Sequence, residues 1–163
     1  MNISKIFISF FVIIIIAISS AIFTIMKMEE LSSNTQKMYT HPFQVTNSVS
    51  NIQTAVITMH RNMKDIVLSK KTSQIIKLIE LIQKEEERVL LNFGTIYKHY
   101  LGEKKDIDLV FQMFKQWKPI REEVILLIQN KQLEKAIQIT QNKGAHHIEK
   151  LYTQIDLLKR FAF

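Results

Sequence analysis

Apolar residues recur along most of this chain at alternating steps of three and four, the spacing that places them on one side of an α-helix. Four such series follow one another after the first 40 residues, and no stretch alternates with a period of two for long enough to indicate a strand. The series are Val45, Val49, Ile52, Val56, Met59, Met63 and Ile66; Ile75, Ile79, Ile82, Glu86, Val89, Phe93, Ile96 and Tyr100; Ile107, Val110, Phe114, Trp117, Arg121, Val124 and Ile128; and Leu133, Ile137, Ile148, Leu151, Ile155 and Leu158.

The segments between the series are only a few residues long, so neighbouring helices must run antiparallel. The sequence therefore predicts an all-α fold, an antiparallel up-down-up-down four-helix bundle preceded by one N-terminal transmembrane helix. The first bundle helix is expected to end near residue 71, and the other three helices are expected at residues 73–102, 105–130 and 132–163.

Local signals mark the ends of these helices. Thr72 or Ser73 can cap the second helix, and Gly102 can end it as a left-handed C-cap. In the fourth helix the series changes phase near Gly144.

The transmembrane helix is predicted at residues 6–26, a run of 21 residues without a charge. About 20 apolar residues span the hydrocarbon core, and the apolar part of a cleaved signal peptide is shorter, so we expect an uncleaved anchor. Residues 1–5 are assigned to a cytoplasmic N-terminus. Lysines flank the run on both sides, so charge alone does not decide the orientation.

Pro42 interrupts the helical pattern between the anchor and the bundle. Folded back from a turn near residue 71, the first helix matches the second only as far as about residue 41. Pro42 is therefore expected to mark the junction between a helical stalk, residues 27–40, and a bundle, residues 41–163. Thr40 can act as N-cap of a kinked or restarted helix, since proline is tolerated in a first turn.

Composition excludes several classes of function. The net charge is +7, but the basic residues are spread among acids without one basic stripe, which argues against nucleic-acid binding and is compatible with a weak affinity for anionic lipids. Cysteine is absent, Glu-x-x-His pairs do not occur, and no two histidines are three or four residues apart. We expect no metal, no cofactor and no enzymatic activity in this chain.

Four short motifs resemble one known family. They are Tyr39–Val45, Met59–Asp65, Trp117–Arg121 and Lys143–His147. Their combination resembles the extracytoplasmic four-helix-bundle sensory module of bacterial methyl-accepting chemotaxis proteins, sensor histidine kinases and diguanylate cyclases. The resemblance implies a protein of the bacterial inner membrane, with its bundle in the periplasm, acting as a homodimer that binds a small-molecule ligand. The one predicted span, residues 6–26, makes residues 1–163 single-pass.

Two charged residues, Glu86 and Arg121, occupy positions of the apolar series. Each lies about 17 residues from the turn between the second and third helices, so they should face each other and pair. Trp117, Pro119 and Gly144 fall at nearly the same height. This layer is predicted either to be a weak point used by ligand binding or to be a structural ion pair that fixes helix register.

Arg61 and Lys64 on the first helix are a second candidate site. In resembling receptors that bind aspartate, arginines at a dimer interface hold a ligand carboxylate, and guanidinium suits that bidentate contact. The alternative is that both side chains are simply solvated.

The interpretation that unites these features is the ligand-sensing module of a transmembrane receptor, as its N-terminal portion. Receptors of this family return through a second membrane helix, which residues 1–163 do not include. The alternative is a membrane-anchored helical accessory protein that binds a partner receptor without sensing a ligand. A bundle holding haem through Met and His is a more distant third.

Overall fold

The computed structural model describes the backbone of residues 3–161 and the side chains of residues 11–32 and 42–160. The described backbone is helical between short turns and contains no strand. Its elements are α1 (Ile3–Leu68), α2 (Thr72–His99), α3 (Lys104–Gln129), α4 (Leu133–Ile139), a π-helical segment (Thr140–Gly144) and α5 (Ala145–Phe161).

The chain divides into two compact units, Met1–Thr40 and His41–Phe163. Within the first unit, Phe11–Ser32 is the one described segment long and apolar enough to cross a membrane, with a mean hydropathy of 2.4. Its side chains are exposed rather than packed against protein. Residues 1–2 of the predicted N-terminus and the side chains of residues 3–10 and 33–41, including Thr40, lie outside the described residues.

The second unit is the four-helix bundle, and its fourth rod consists of α4, the π-helical segment and α5 in succession. The core is built from the predicted series: all seven positions in α1 are buried, as are those in α3 except the half-buried Ile128. In α2 the buried series begins at Ile82. Burial of such apolar series away from water is the main contribution to the stability of packed amphipathic helices.

The predicted restart of the first helix at Thr40 is wrong, because α1 continues through Pro42 without a break. A proline removes one backbone hydrogen bond from a helix and crowds the preceding turn. Evidently that loss does not end this helix. Whether Pro42 acts as a junction is not tested by the helix boundaries and stays a prediction.

The predicted caps of α2 are also wrong. Lys71, with φ −102° and ψ 119°, occupies the N-cap position and provides no side-chain hydrogen bond. At the other end α2 stops at His99, and Gly102 has no positive φ. Gly102 serves a different purpose, since a Cβ there would lie 2.7 Å from the ring of Tyr100.

The phase change near Gly144 corresponds to the π-helical segment. The fourth rod buries Ala136, Thr140, Gly144 and Ile148, each four residues from the last. In an α-helix three such steps would rotate the buried face by about 120°. A π-helical turn accommodates one extra residue, about 100° of rotation, and so keeps these residues on one face. Ala136 therefore replaces the predicted seam residues Leu133, which is exposed, and Ile137, which is half-buried.

The left-handed residue of the bundle is Lys131, with φ 58°, in the turn between α3 and α4. The Lys131 N–H donates to the Ile128 carbonyl and the Gln132 N–H to the Leu127 carbonyl, at 3.0 and 2.8 Å. This is the Schellman arrangement, which usually has glycine at the left-handed position. A lysine there carries the steric cost of its Cβ.

We expect Lys131→Gly to raise the free energy of unfolding by about 0.5–1 kcal/mol, because it removes this strain. The matched control is Gln112→Gly, at an exposed position inside α3, which should lower it by about 1 kcal/mol. Urea titration of the full chain in nanodiscs, followed by the fluorescence of buried Trp117, measures both. Equal losses for the two variants would contradict the assignment.

Candidate functional site

The predicted pair of Glu86 and Arg121 is present. Arg121 Nη2 lies 3.1 Å from Glu86 Oε2, and Lys118 Nζ lies 3.1 Å from Glu86 Oε1. One carboxylate of α2 is thus held by two cations of α3. Counting residues from the turn predicted the pairing with Arg121 correctly. Lys118 was missed because its position in the helical pattern reads as solvent-facing, and its side chain is indeed 54% exposed.

Arg121 lies almost wholly inside the core, with 3% of its surface exposed. Its guanidinium carbon sits 4.8 Å from the ring centre of Trp117 and 5.8 Å from that of Phe114. Such cation–π contacts offset part of the cost of removing the charge from water. Burial lowers the pKa of Arg121, and the charge of Glu86 opposes that shift.

Glu86 is partly shielded from solvent. This burial raises the pKa of its carboxyl, but Arg121 and Lys118 lower it by more, so the net pKa is below the ordinary value. The carboxylate is therefore ionised at neutral pH. The group formed by Glu86, Arg121 and Lys118 carries a net charge of one positive unit.

Behind Arg121 the core contains a small cavity. Its lining includes His60 of α1, Trp117 and Ile120 of α3, and Thr140 and Gly144 of the fourth rod. Its volume, about 10 Å³, is at the lower limit for one water molecule and is too small for an organic ligand. Gly144 fits closely at this height, because a Cβ there would lie 3.3 Å from the carbonyl oxygen of Ile139, nearer than an ordinary van der Waals contact.

Of the predicted layer, the structure therefore brings Trp117, Arg121 and Gly144 around one cavity, with Glu86 paired to Arg121. Pro119 lies inside α3 but is exposed. The arrangement is a packed polar layer. The assignment of Glu86, Trp117 and Arg121 to ligand binding stays a prediction.

His60 was not singled out by the sequence. Its ring packs edge-on against Trp117, with 6.5 Å between ring centres, and its buried Nε2 has no hydrogen-bond partner among the described residues. Burial, followed by the positive charge of Lys64, lowers the pKa of His60 from 6.5. His60 is thus held neutral inside the bundle.

The second predicted pair, Arg61 and Lys64, lies on the exposed side of α1. Lys64 borders a surface groove of about 430 Å³ between α1 and the fourth rod, and Arg61 is not among its lining residues. We call it the α1–α4 groove; its lining residues are Lys64, Val67, Leu68, Ile137, Thr140, Gln141 and Ala145. No sequence motif pointed to it, since unfilled volume between two helices leaves no pattern in the sequence.

A family model described as a four helix bundle sensory module for signal transduction matches residues 3–161. The chain belongs to this family. No curated protein and no solved structure matches it.

The pairing of Glu86 with Arg121 should be visible as a coupling energy. Glu86→Gln should lower the free energy of unfolding by about 2–4 kcal/mol, since it leaves the buried Arg121 charge without its carboxylate. Arg121→Met should cost less, since Glu86 keeps its pairing with Lys118. The double variant should lose less than the sum, with a coupling above about 1 kcal/mol.

The control cycle uses Glu123 and Lys143, which are also 3.1 Å apart but join α3 to the fourth rod and have side chains 46% and 60% exposed. Its coupling should remain below about 1 kcal/mol. Strictly additive losses for Glu86→Gln and Arg121→Met would show that their interaction does not support the fold.

The lowered pKa of His60 predicts a loss of stability in mild acid. Below pH 6.5 the unfolded chain binds a proton at His60 that the folded chain resists, so the free energy of unfolding falls as pH falls. We expect His60→Gln to reduce this fall between about pH 7.5 and about pH 5.5. His146→Gln, at an exposed position, should retain it. Identical pH profiles for wild type and His60→Gln would refute the assignment.

Proposed function

We propose that this chain is the extracytoplasmic ligand-sensing module of a bacterial transmembrane signalling receptor, of the chemoreceptor, histidine kinase or diguanylate cyclase type. The family supports a sensory role in signal transduction, and Phe11–Ser32 supports attachment to a membrane. In this proposal residues 6–26 cross the inner membrane, residues 27–40 form a stalk and the bundle lies in the periplasm.

The observation that carries the proposal is the extent of α1. One helix, Ile3–Leu68, contains both the candidate membrane span and the first rod of the bundle. In this proposal a ligand shifts the first rod by a small distance, and the shift reaches the span along the chain. Pro42 lies within that helix, between the two, and is proposed as the position at which bundle and stalk meet.

A second feature supports a homodimer. Residues 38–60 contain no formally charged side chain, although the 163 residues include 22 Lys or Arg and 15 Asp or Glu. The exposed positions in this stretch form what we call the α1 stripe: Phe43, Asn47, Thr54 and Ile57, at helical spacing. Depletion of charge is characteristic of the centre of a protein–protein interface. We infer that the α1 stripe packs against that of a second copy.

Single-cysteine variants test both the side of the membrane and the dimer, because the native chain has no cysteine. Thr54→Cys lies in the α1 stripe, and Gln116→Cys lies at a similar height on the exposed face of α3. In bacterial inner membranes we expect oxidation to cross-link Thr54→Cys into a dimer and to leave Gln116→Cys monomeric.

The Gln116→Cys variant also tests the side of the membrane. In intact spheroplasts its thiol should react with a membrane-impermeant maleimide before the cells are lysed. Labelling that requires lysis would overturn the periplasmic placement. Equal cross-linking of the two variants would indicate random collision and would overturn the dimer.

A further inference from the structure

The α1–α4 groove has the dimensions and lining of a ligand site. Its volume of about 430 Å³ lies within the range of small-molecule pockets, about 300–1,000 Å³. Its walls are mainly apolar, from Val67 and Leu68 of α1 and from Ile137 and Ala145 of the fourth rod. Thr140 and Gln141 add neutral polar groups. A few polar groups in an apolar cleft are what fix the orientation of a ligand.

The fourth rod contributes two small side chains to the groove, Thr140 and Ala145, and its buried positions are also small at this height. Ala136, Thr140 and Gly144 occupy successive buried positions, whereas the buried positions of α5 carry leucine and isoleucine. Leu68 consequently remains 77% exposed at the edge of the groove. Apolar surface of this kind gains free energy when an apolar ligand covers it.

The charges around the groove select the ligand. Lys64 is the one charged residue among those lining it. An adjoining cavity of about 280 Å³ shares Leu68 and is bordered by Lys70, Lys71 and Asp65, so positive charge also predominates there. A single anionic group can pair with the Lys64 ammonium, while an α-ammonium group in the groove itself would lack a carboxylate partner.

We propose that the α1–α4 groove binds a small amphipathic monocarboxylate. The carboxylate pairs with Lys64, and a branched alkyl or aryl group lies against Val67, Ile137 and Ala145. This inference rests on the proposed sensing function and names the chemical class that the module recognises. It differs from the expectation for Arg61, which has no part in this site.

The site is connected to the core through Thr140. Its side chain lines the groove on one side and the small cavity beside Trp117 and Arg121 on the other. Its hydroxyl donates to the Ala136 carbonyl at 2.8 Å, so it moves with the helix that carries it. A ligand that displaces Thr140 therefore alters the surroundings of Trp117, the one tryptophan in the chain.

The test uses the full chain in phosphatidylcholine nanodiscs, titrated with 3-methylbutanoate at up to millimolar concentration. We expect saturable heat in a calorimetric titration and a parallel change in Trp117 fluorescence. The uncharged analogue 3-methylbutanamide and the zwitterion leucine should bind at least about tenfold more weakly, the equivalent of one lost charge-assisted hydrogen bond.

Variants locate the site. Lys64→Met should weaken binding of 3-methylbutanoate about tenfold or more, and Lys64→Arg should retain it. Ala145→Leu should abolish it by filling the groove. The matched control is Arg61→Met, which removes an exposed cation from the preceding turn of α1 and should leave the affinity unchanged.

Several results would overturn the inference. The first is that neither 3-methylbutanoate nor benzoate binds saturably. The second is that Arg61→Met and Lys64→Met lose equal affinity for 3-methylbutanoate. The third is that Ala145→Leu binds it with unchanged affinity. If Lys64→Met and Ala145→Leu instead reduced the cross-linking of Thr54→Cys, the groove would belong to the contact between copies. Cross-linking and maleimide labelling do not depend on the ligand, so they can succeed where this inference fails.

Discussion

The buried guanidinium of Arg121 imposes a constraint on every other part of the bundle. It is the one charged side chain buried in the core among the described residues, and arginine does not escape burial by losing its proton. Its charge must be compensated where it lies, by Glu86 from α2 and by the face of Trp117. A slip of one helical turn, about 5.4 Å, would separate Arg121 from Glu86, so the pair fixes the register of α2 against α3.

That register dictates what the fourth rod can present. At the height of Arg121, α3 offers the bulky side chains of Trp117 and Ile120, and the facing positions, Thr140 and Gly144, are small. Residues spaced four apart stay on one buried face there only if one turn of the helix holds an extra residue, and the π-helical turn does so. The layer, the π-helical segment and the α1–α4 groove thus meet at Thr140, which lines both the cavity beside Trp117 and the groove.

Sequence reasoning succeeded where the physical signal is periodic. Steps of three and four predicted the core of α1 and α3, and counting from a turn predicted the pairing of Glu86 with Arg121. It failed where one residue or one hydrogen bond decides: α1 continues through Pro42, and the left-handed turn residue is Lys131, not Gly102. The groove could not be predicted because it depends on unfilled volume, which no pattern of apolar positions records.

The fourth rod is arranged in a way that stability alone does not explain. A π-helical turn is an uncommon structure, unfilled volume beside apolar side chains forgoes packing energy, and an exposed leucine at position 68 adds nothing to the fold. All three features occur around Thr140, while α5 packs with large residues throughout. Filling such space commonly stabilises a protein by about 0.5–2 kcal/mol, so the open groove lowers stability, and the proposed ligand would recover part of that loss by covering it.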